Sequence, residues 1–358
     1  MTPGPTRIPE RVLRAGMRVL HHRTPEFSAA LAELLEGLRP VFGTSTADIL
    51  PVHATGRASM EAAIVNLFNP GDTVVACCNG KFGEMWAGFA ETYGLHVVRV
   101  ATDWGRSVDP GEVAGALADH PGTRAVTVAH CDTSTGVLNP VEAVAAAARG
   151  HGALTMVDAI SSLGGAPFAF DAWDVDVAVT SSQKCLMSSP GISFVALSPR
   201  AWAAAEAGAM PRAYLDFASI RDTLAGPRPQ TPGTTPVLLA LQVLEAVRMI
   251  HEEGLDAVFA RHRLLSDTVT SWAAARGIAL PGAGVRERSP TLTALRMPDG
   301  VDPARVRAAV RAEGIQIAAG LGQHKGTCVR IGHMGDIRPD DVSRTLNALD
   351  AALTLPGR

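Results

Sequence analysis

Lys184 and Asp158 carry the most chemical information in this chain. Lys184 stands in the run Thr180-Ser181-Ser182-Gln183-Lys184-Cys185-Leu186, and Asp158 ends the apolar run Leu154-Thr155-Met156-Val157, 26 residues earlier. A lone lysine is usually a solvated surface charge. A lysine in a loop between two apolar strands, with a carboxylate at the end of another strand, suits pyridoxal phosphate. That cofactor needs an amine to hold its aldehyde as a Schiff base and an anion against its pyridine nitrogen. Residues 175–180 and 192–197 read as the flanking strands, so desolvation is expected to lower the Lys184 pKa and favour a nucleophilic amine.

These residues need a sheet to position them. From about residue 52 to 200, helical and strand patterns alternate: helices over 57–68, 82–93 and 140–149, and strands over 73–77, 96–100, 124–130, 153–157, 175–180 and 192–197. Asn69-Pro70-Gly71-Asp72, Asp109-Pro110-Gly111 and Asn139-Pro140 read as turns between them. The pattern predicts an α/β chain with a mostly parallel sheet covered on both faces, and ligands bind such sheets at the carboxyl ends of the strands. A proline-rich stretch, 226–233, precedes two helices near 236–252 and 255–277. From about 290 the order is strand, helix, strand, strand, helix, which predicts a smaller second lobe.

Other loops offer ligand contacts, each with a plainer reading beside it. Gly56, before a helix, lets a phosphate approach free N–H groups, or it is only a cap. Phe82, between Gly80 and Gly83, stacks on a flat ring or fills the core. The loop Cys131 to Val137 offers the Thr133 hydroxyl, or only local turn bonds. Arg330 on an apolar strand needs an anion, either a substrate carboxylate or an internal Asp or Glu.

The 358 residues suffice for a large core, and 47% hydrophobic with 19% charged residues is a globular composition. A net charge of −3 gives no reason to expect a nucleic-acid or membrane partner. Pro3, Pro5 and Pro9 interrupt any signal-like apolar run at the start, and a cytoplasmic address is expected. The cysteines at 77, 78, 131, 185 and 328 lack a C-x-x-C pair, so reduced thiols are expected, with no metal site.

Taken in order, these motifs resemble the class V, fold-type I pyridoxal-phosphate enzymes, in particular the alanine–glyoxylate and serine–glyoxylate aminotransferases. The resemblance runs from Thr2-Pro3-Gly4-Pro5-Thr6 through Asn79-Gly80-Lys81-Phe82-Gly83, Val157-Asp158 and Ser182-Gln183-Lys184 to Arg330-Ile331-Gly332-His333-Met334-Gly335. It implies a large domain over 21–255 with a seven-stranded sheet, and a smaller α+β domain over 256–358 with residues 1–20 packed nearby. Lys184 is implied as the Schiff-base lysine and later the proton carrier, and Asp158 as the pyridine-nitrogen partner. Phe82 is implied as the stacking ring and Thr133 as the hydroxyl beside the phenolic oxygen. Gly56, Arg57 and Gln183 are implied as phosphate contacts, and Arg330 as the clamp on the substrate carboxylate. Thr231 and Thr234 match a segment that reaches the partner's phosphate, so the implied assembly is a homodimer with shared active sites.

The implied reaction moves an amino group from alanine or serine to glyoxylate or pyruvate. The alternative is a lyase or desulfurase of the same superfamily acting on a specialised amino acid. Three positions depart from the family pattern: Arg57 replaces a smaller residue or histidine, Asp132 a glutamate, and Ser189 a proline. Arg57 is expected either to recognise a second anionic substrate group or to lie in solvent on the first helical turn.

Overall fold

The computed structural model describes residues 1–281, 284 and 287–354. Its strands are β1 Asp48–Val52, β2 Thr73–Cys78, β3 His96–Ala101, β4 Ala125–Ala129, β5 Cys131–Asp132, β6 Val137–Leu138, β7 Leu154–Asp158, β8 Val177–Ser181, β9 Ser193–Leu197, β10 Leu292–Arg296, β11 Ala318–Ala319 and β12 Cys328–Gly332. Seven of them form one sheet in the order β1-β9-β8-β7-β4-β2-β3. From β3 to β8 every pairing is parallel; β9 runs antiparallel to β8, and β1 antiparallel to β9. The expected mostly parallel, seven-stranded sheet is therefore present.

Successive side chains of a strand point to opposite faces, and here the two faces feed two cores. Val75, Val126, Val157 and Ala178 pack with Phe27, Leu31 and Val247. Their neighbours Val74, Ala125, Met156 and Val177 pack with Met60, Trp86 and Trp202. Every residue of β4, β7, β8 and β9 is buried, which explains why these strands read as continuous apolar runs. A smaller antiparallel sheet, β10-β12-β11, is covered by Val269, Trp272, Val310 and Leu349 from its helices. Among the described residues no helix is long and apolar enough to cross a membrane.

Three features differ from the sequence reading. Strand β1 goes unread because Pro51 interrupts its pattern; it lies at the sheet edge, where a missing N–H is tolerated. Asp109-Pro110-Gly111 is a helix start rather than a turn: Asp109 accepts the Gly111 amide at 2.8 Å and Pro110 takes the first helical position. The hairpin β5–β6 is too short for periodicity to reveal.

The topology aligns the functional loops. Because β2, β4, β7 and β8 are parallel, Phe82, Thr133, Asp158 and Lys184 all follow carboxyl ends on one edge of the sheet. Strand β1, antiparallel to β9 as β8 is, brings Gly56 to the same edge.

Candidate active site

Lys184 sits in the loop between β8 and β9, partly buried, its Nζ donating to the Pro3 carbonyl at 2.6 Å. Burial lowers its pKa to about 8, against the opposing charge of Asp158, and Arg330 adds to the fall. The amine thus exists in both protonation states not far from neutral pH. Asp158, 3% exposed, ends β7. Burial pushes its carboxyl up to about 7, although the Ile160 amide and the Lys184 charge both oppose this; Asp132 adds to the rise. The Ile160 amide donates to Oδ1 at 2.8 Å, and among the described residues no hydrogen bond reaches Oδ2. A desolvated carboxylate with a free oxygen calls for a cationic donor.

Next to this pair lies a ring of donors and hydroxyls. The helix Gly56–Leu67 begins without a side-chain cap from Thr55. The Gly56 amide donates to Ser181 Oγ at 3.2 Å, and Ser181 Oγ donates to Gln183 Oε1 at 2.5 Å. A Cβ on Gly56 would lie 2.4 Å from Ile160 Cδ1 and 3.3 Å from Ser181 Cβ, so a larger residue here would displace the Ile160 side chain. An uncapped helix start beside two polar side chains has the makings of a phosphate site.

Phe82 is held through its backbone. Asp132 Oδ2 accepts the Phe82 amide at 2.9 Å, while Oδ1 accepts the Ser134 amide at 2.9 Å and its hydroxyl at 2.5 Å. Asp132 therefore caps the helix Lys81–Thr92 from a separate loop, because Gly80 at its N-cap has no side chain. A Cβ on Gly80 would fall 2.2 Å from Asp132 Cγ, so the residue types at the two positions fit each other.

Arg330, 8% exposed on β12, donates from Nε to the Ala319 carbonyl at 2.7 Å and from Nη1 to the Thr133 carbonyl at 2.8 Å. Among the described residues it has no carboxylate partner within salt-bridge distance. Burial lowers its pKa to about 10, partly offset by Asp132, so it remains cationic at neutral pH. Two neutral carbonyls fix the guanidinium without cancelling its charge, which leaves it ready for an anion. Among the described residues, the internal Asp or Glu of the plainer reading does not pair with it.

Lys184, Asp158, Thr133 and Arg330 thus come together, with Gly56, Gln183 and Phe82 on adjoining loops. Thr231, Thr234 and Arg57 stand apart within one protomer. Thr231 is buried and hydrogen-bonded to Thr235 at 2.7 Å; with His53 and Tyr214 it lines a cleft of about 250 Å³ that neither Lys184 nor Asp158 borders. Thr234 is exposed. Arg57 is exposed, its guanidinium 5.8 Å from the centre of the Phe89 ring. Sequence reasoning missed Ser181 and the capping role of Asp132. Ser181 had one signal, its place in a hydroxyl run directly after a strand; the Asp132 cap acts across 50 residues and had none.

Known proteins share the family and the fold of this chain. Residues 4–338 match the family Aminotransferase class-V. An L-aspartate–glyoxylate aminotransferase of Paracoccus denitrificans is 37% identical over 94% of this chain and 86% of its own length. A protein of Synechococcus named soluble hydrogenase, small subunit, is 38% identical over 99% of this chain and 92% of its own. The crystal structure of an alanine–glyoxylate aminotransferase from Nostoc superposes with a TM-score of 0.94 at 34% identity, covering 99% of this chain and 94% of that one.

Proposed function

The chain belongs to the class-V aminotransferase family, with the fold-type I architecture, and from that premise we propose the reaction it performs. It moves an amino group from a small L-amino acid, alanine or serine, to a small 2-oxo acid, glyoxylate or pyruvate, with pyridoxal 5'-phosphate bound through Lys184. When bound, that group supplies an aldehyde carbon for an amine and a protonated ring that draws electrons from a breaking C–H bond. The observation that carries the proposal is Arg330: a buried guanidinium fixed by two carbonyls, without a carboxylate of its own, in the site that holds Lys184 and Asp158.

The residues present fit the cofactor. Asp158, buried and with no hydrogen bond to Oδ2 among the described residues, would hold the ring nitrogen's proton in place. The uncapped helix start at Gly56, with Ser181 and Gln183, takes the phosphate, and Thr231 and Thr234 of a second protomer complete its shell. Phe82, its backbone locked by Asp132, would stack on the ring, and the Thr133 hydroxyl would serve the phenolic oxygen. Arg330 orients the substrate through its α-carboxylate. The Lys184 amine, at about 8, takes up and returns the α-proton. Arg57, exposed on the first turn of the helix Gly56–Leu67 and without a carboxylate partner among the described residues, would serve a second anionic group of a substrate long enough to reach past Gly56.

The desulfurase reading needs a reactive thiol. Burial pushes Cys185 up to about 12 and raises Cys328 as well, which suits inert core thiols. The five free, buried cysteines also support a reducing, cytoplasmic location.

The test is to load the protein with pyridoxal phosphate and add L-alanine or L-serine without any oxo acid. Transamination predicts a change in the cofactor's absorbance together with release of one equivalent of the matching oxo acid. Pyruvate released from serine together with ammonia would instead establish a lyase. Borohydride reduction should leave the cofactor's mass on the peptide that contains Lys184.

A further inference from the structure

The residues before the first helix form a strap across the site. The Gly332 amide donates to the Met1 carbonyl at 2.9 Å, and the Thr6 amide donates to the Gln183 carbonyl at 3.0 Å. Thr6 Oγ1 donates to the Met334 carbonyl at 2.9 Å. The strap is thereby tied to the loop that carries Lys184 and to the strand and turn that follow Arg330. Between these ties, Pro3 offers its carbonyl to Lys184 Nζ at 2.6 Å, and no other hydrogen bond of that amine is present among the described residues.

Two glycines make room for this contact. Gly4 has a φ of +106°, and a Cβ there would lie 2.4 Å from Lys184 Cδ and 2.7 Å from Nζ. Gly332 lies two residues beyond Arg330, so it faces the same side of β12. A Cβ on Gly332 would lie 2.3 Å from the Thr2 carbonyl oxygen and 2.5 Å from the Pro3 nitrogen. The strap's backbone therefore lies against both the lysine side chain and the Arg330 strand.

We propose that this strap is a positioning element for Lys184, with the Pro3 carbonyl setting the direction of the amine and Gly4 providing the close approach. A free lysine side chain samples many rotamers, about 2 kcal/mol of entropy. Donating a proton to a fixed carbonyl selects one direction and turns the lone pair of the neutral amine away from the strap. Because the strap is also tied at Gly332 and Met334, movement of the Arg330 strand is passed to the lysine. The inference rests on the proposed function only in taking Lys184 as the reacting amine.

The chain has three lysines, 81, 184 and 325, and the other two are exposed, so the amine can be read directly. Cofactor-free protein is pulsed with formaldehyde and cyanoborohydride at a series of pH values, and methylation of each lysine is followed by mass spectrometry. In the wild type, the Lys184 rate–pH profile is the reference, with Lys81 and Lys325 as internal controls. Gly4→Ala forces the strap and the lysine apart; Thr6→Val keeps the side-chain size and removes only the tie to Met334. In both, Lys184 labelling should rise at least ~5-fold, the factor one lost hydrogen bond is worth. Its pH midpoint should move, while Lys81 and Lys325 are unchanged. If Gly4→Ala fails to fold, Thr6→Val alone decides. A Lys184 rate–pH profile that superposes on the wild type in the folded variants overturns the proposal. No cofactor is present in this assay, so its outcome is independent of the absorbance and borohydride tests.

Discussion

Asp158 can be ionised in the folded protein only at a cost. Its carboxyl lies at about 7 against an ordinary 3.8, so the folded, cofactor-free protein keeps a proton that the unfolded chain releases. Stability is then lost as pH rises between those two values. Asp158→Asn should raise the Tm of cofactor-free protein at pH 8, and the gain should shrink as pH falls toward 4. With saturating pyridoxal phosphate the order should reverse, because only the aspartate gains from the ring nitrogen. Scanning calorimetry with and without cofactor checks both signs. Arg330→Lys retains charge and loses the fork. With a charged hydrogen bond worth ~1.5–3 kcal/mol, kcat/KM for amino acids should fall about 10- to 150-fold, and an unchanged value would remove Arg330 from substrate binding. Arg57→Ala should raise KM only for acids with a second anionic group; equal KM values for every accepted acid would assign Arg57 to the surface. At this scale the sequence was readable where residue type states the chemistry, as at Lys184, Asp158 and Arg330. It was opaque where a role depends on a distant contact, as with Ser181 beneath Gly56 or Pro3 against Lys184.

The helix Lys81–Thr92 shows how an element carries a site residue into place. Its first turn is closed by Asp132 from another loop, and Gly80 leaves the room for it. Asp132→Ala removes three accepted hydrogen bonds and leaves the buried Ser134 amide and the part-buried Phe82 amide unpaired. A lost cap alone costs ~0.5–2 kcal/mol, and the unsatisfied donors add to it. Urea unfolding should show a loss in this range or above, and cofactor affinity should fall as Phe82 loses its anchor; unchanged affinity would free Phe82 from that dependence. Element identity was legible where apolar periodicity is long, as in the helix Gly56–Leu67 and the buried strands β4 and β7 to β9. It failed at β1, where Pro51 breaks the pattern, and at Asp109, whose capping bond has the same residue signature as a turn.

Across the whole molecule, exposed apolar side chains gather on and just after the helix Glu10–Ala15, among exposed Glu10, Arg11, Arg14 and Arg18. Met17 and Val19 are 79% and 87% exposed, and Leu13 and Leu238 are nearly half exposed. That helix packs on Val237–Glu253, so Leu13 and Leu238 lie on neighbouring segments, and exposed Thr234 just precedes the second helix. Thr231 is held near it by Arg23, which donates to the carbonyls of Thr231 and Pro232 at 3.3 Å. Exposed apolar side chains beside two threonines proposed to reach another protomer's phosphate fit the proposed self-complementary interface, in which each copy completes its partner's site. Sedimentation should give twice the 37.3 kDa chain mass. Val19→Asp combined with Leu238→Asp buries charge in the interface and should shift the protein to monomer. If the site is shared, the monomer loses the threonine contacts to phosphate, and pyridoxal phosphate affinity should fall together with dimer content while Lys184 and Asp158 remain intact. A folded monomer that binds the cofactor as tightly as the wild type would leave Thr231 and Thr234 without a role in it, and would make each protomer's site complete in itself.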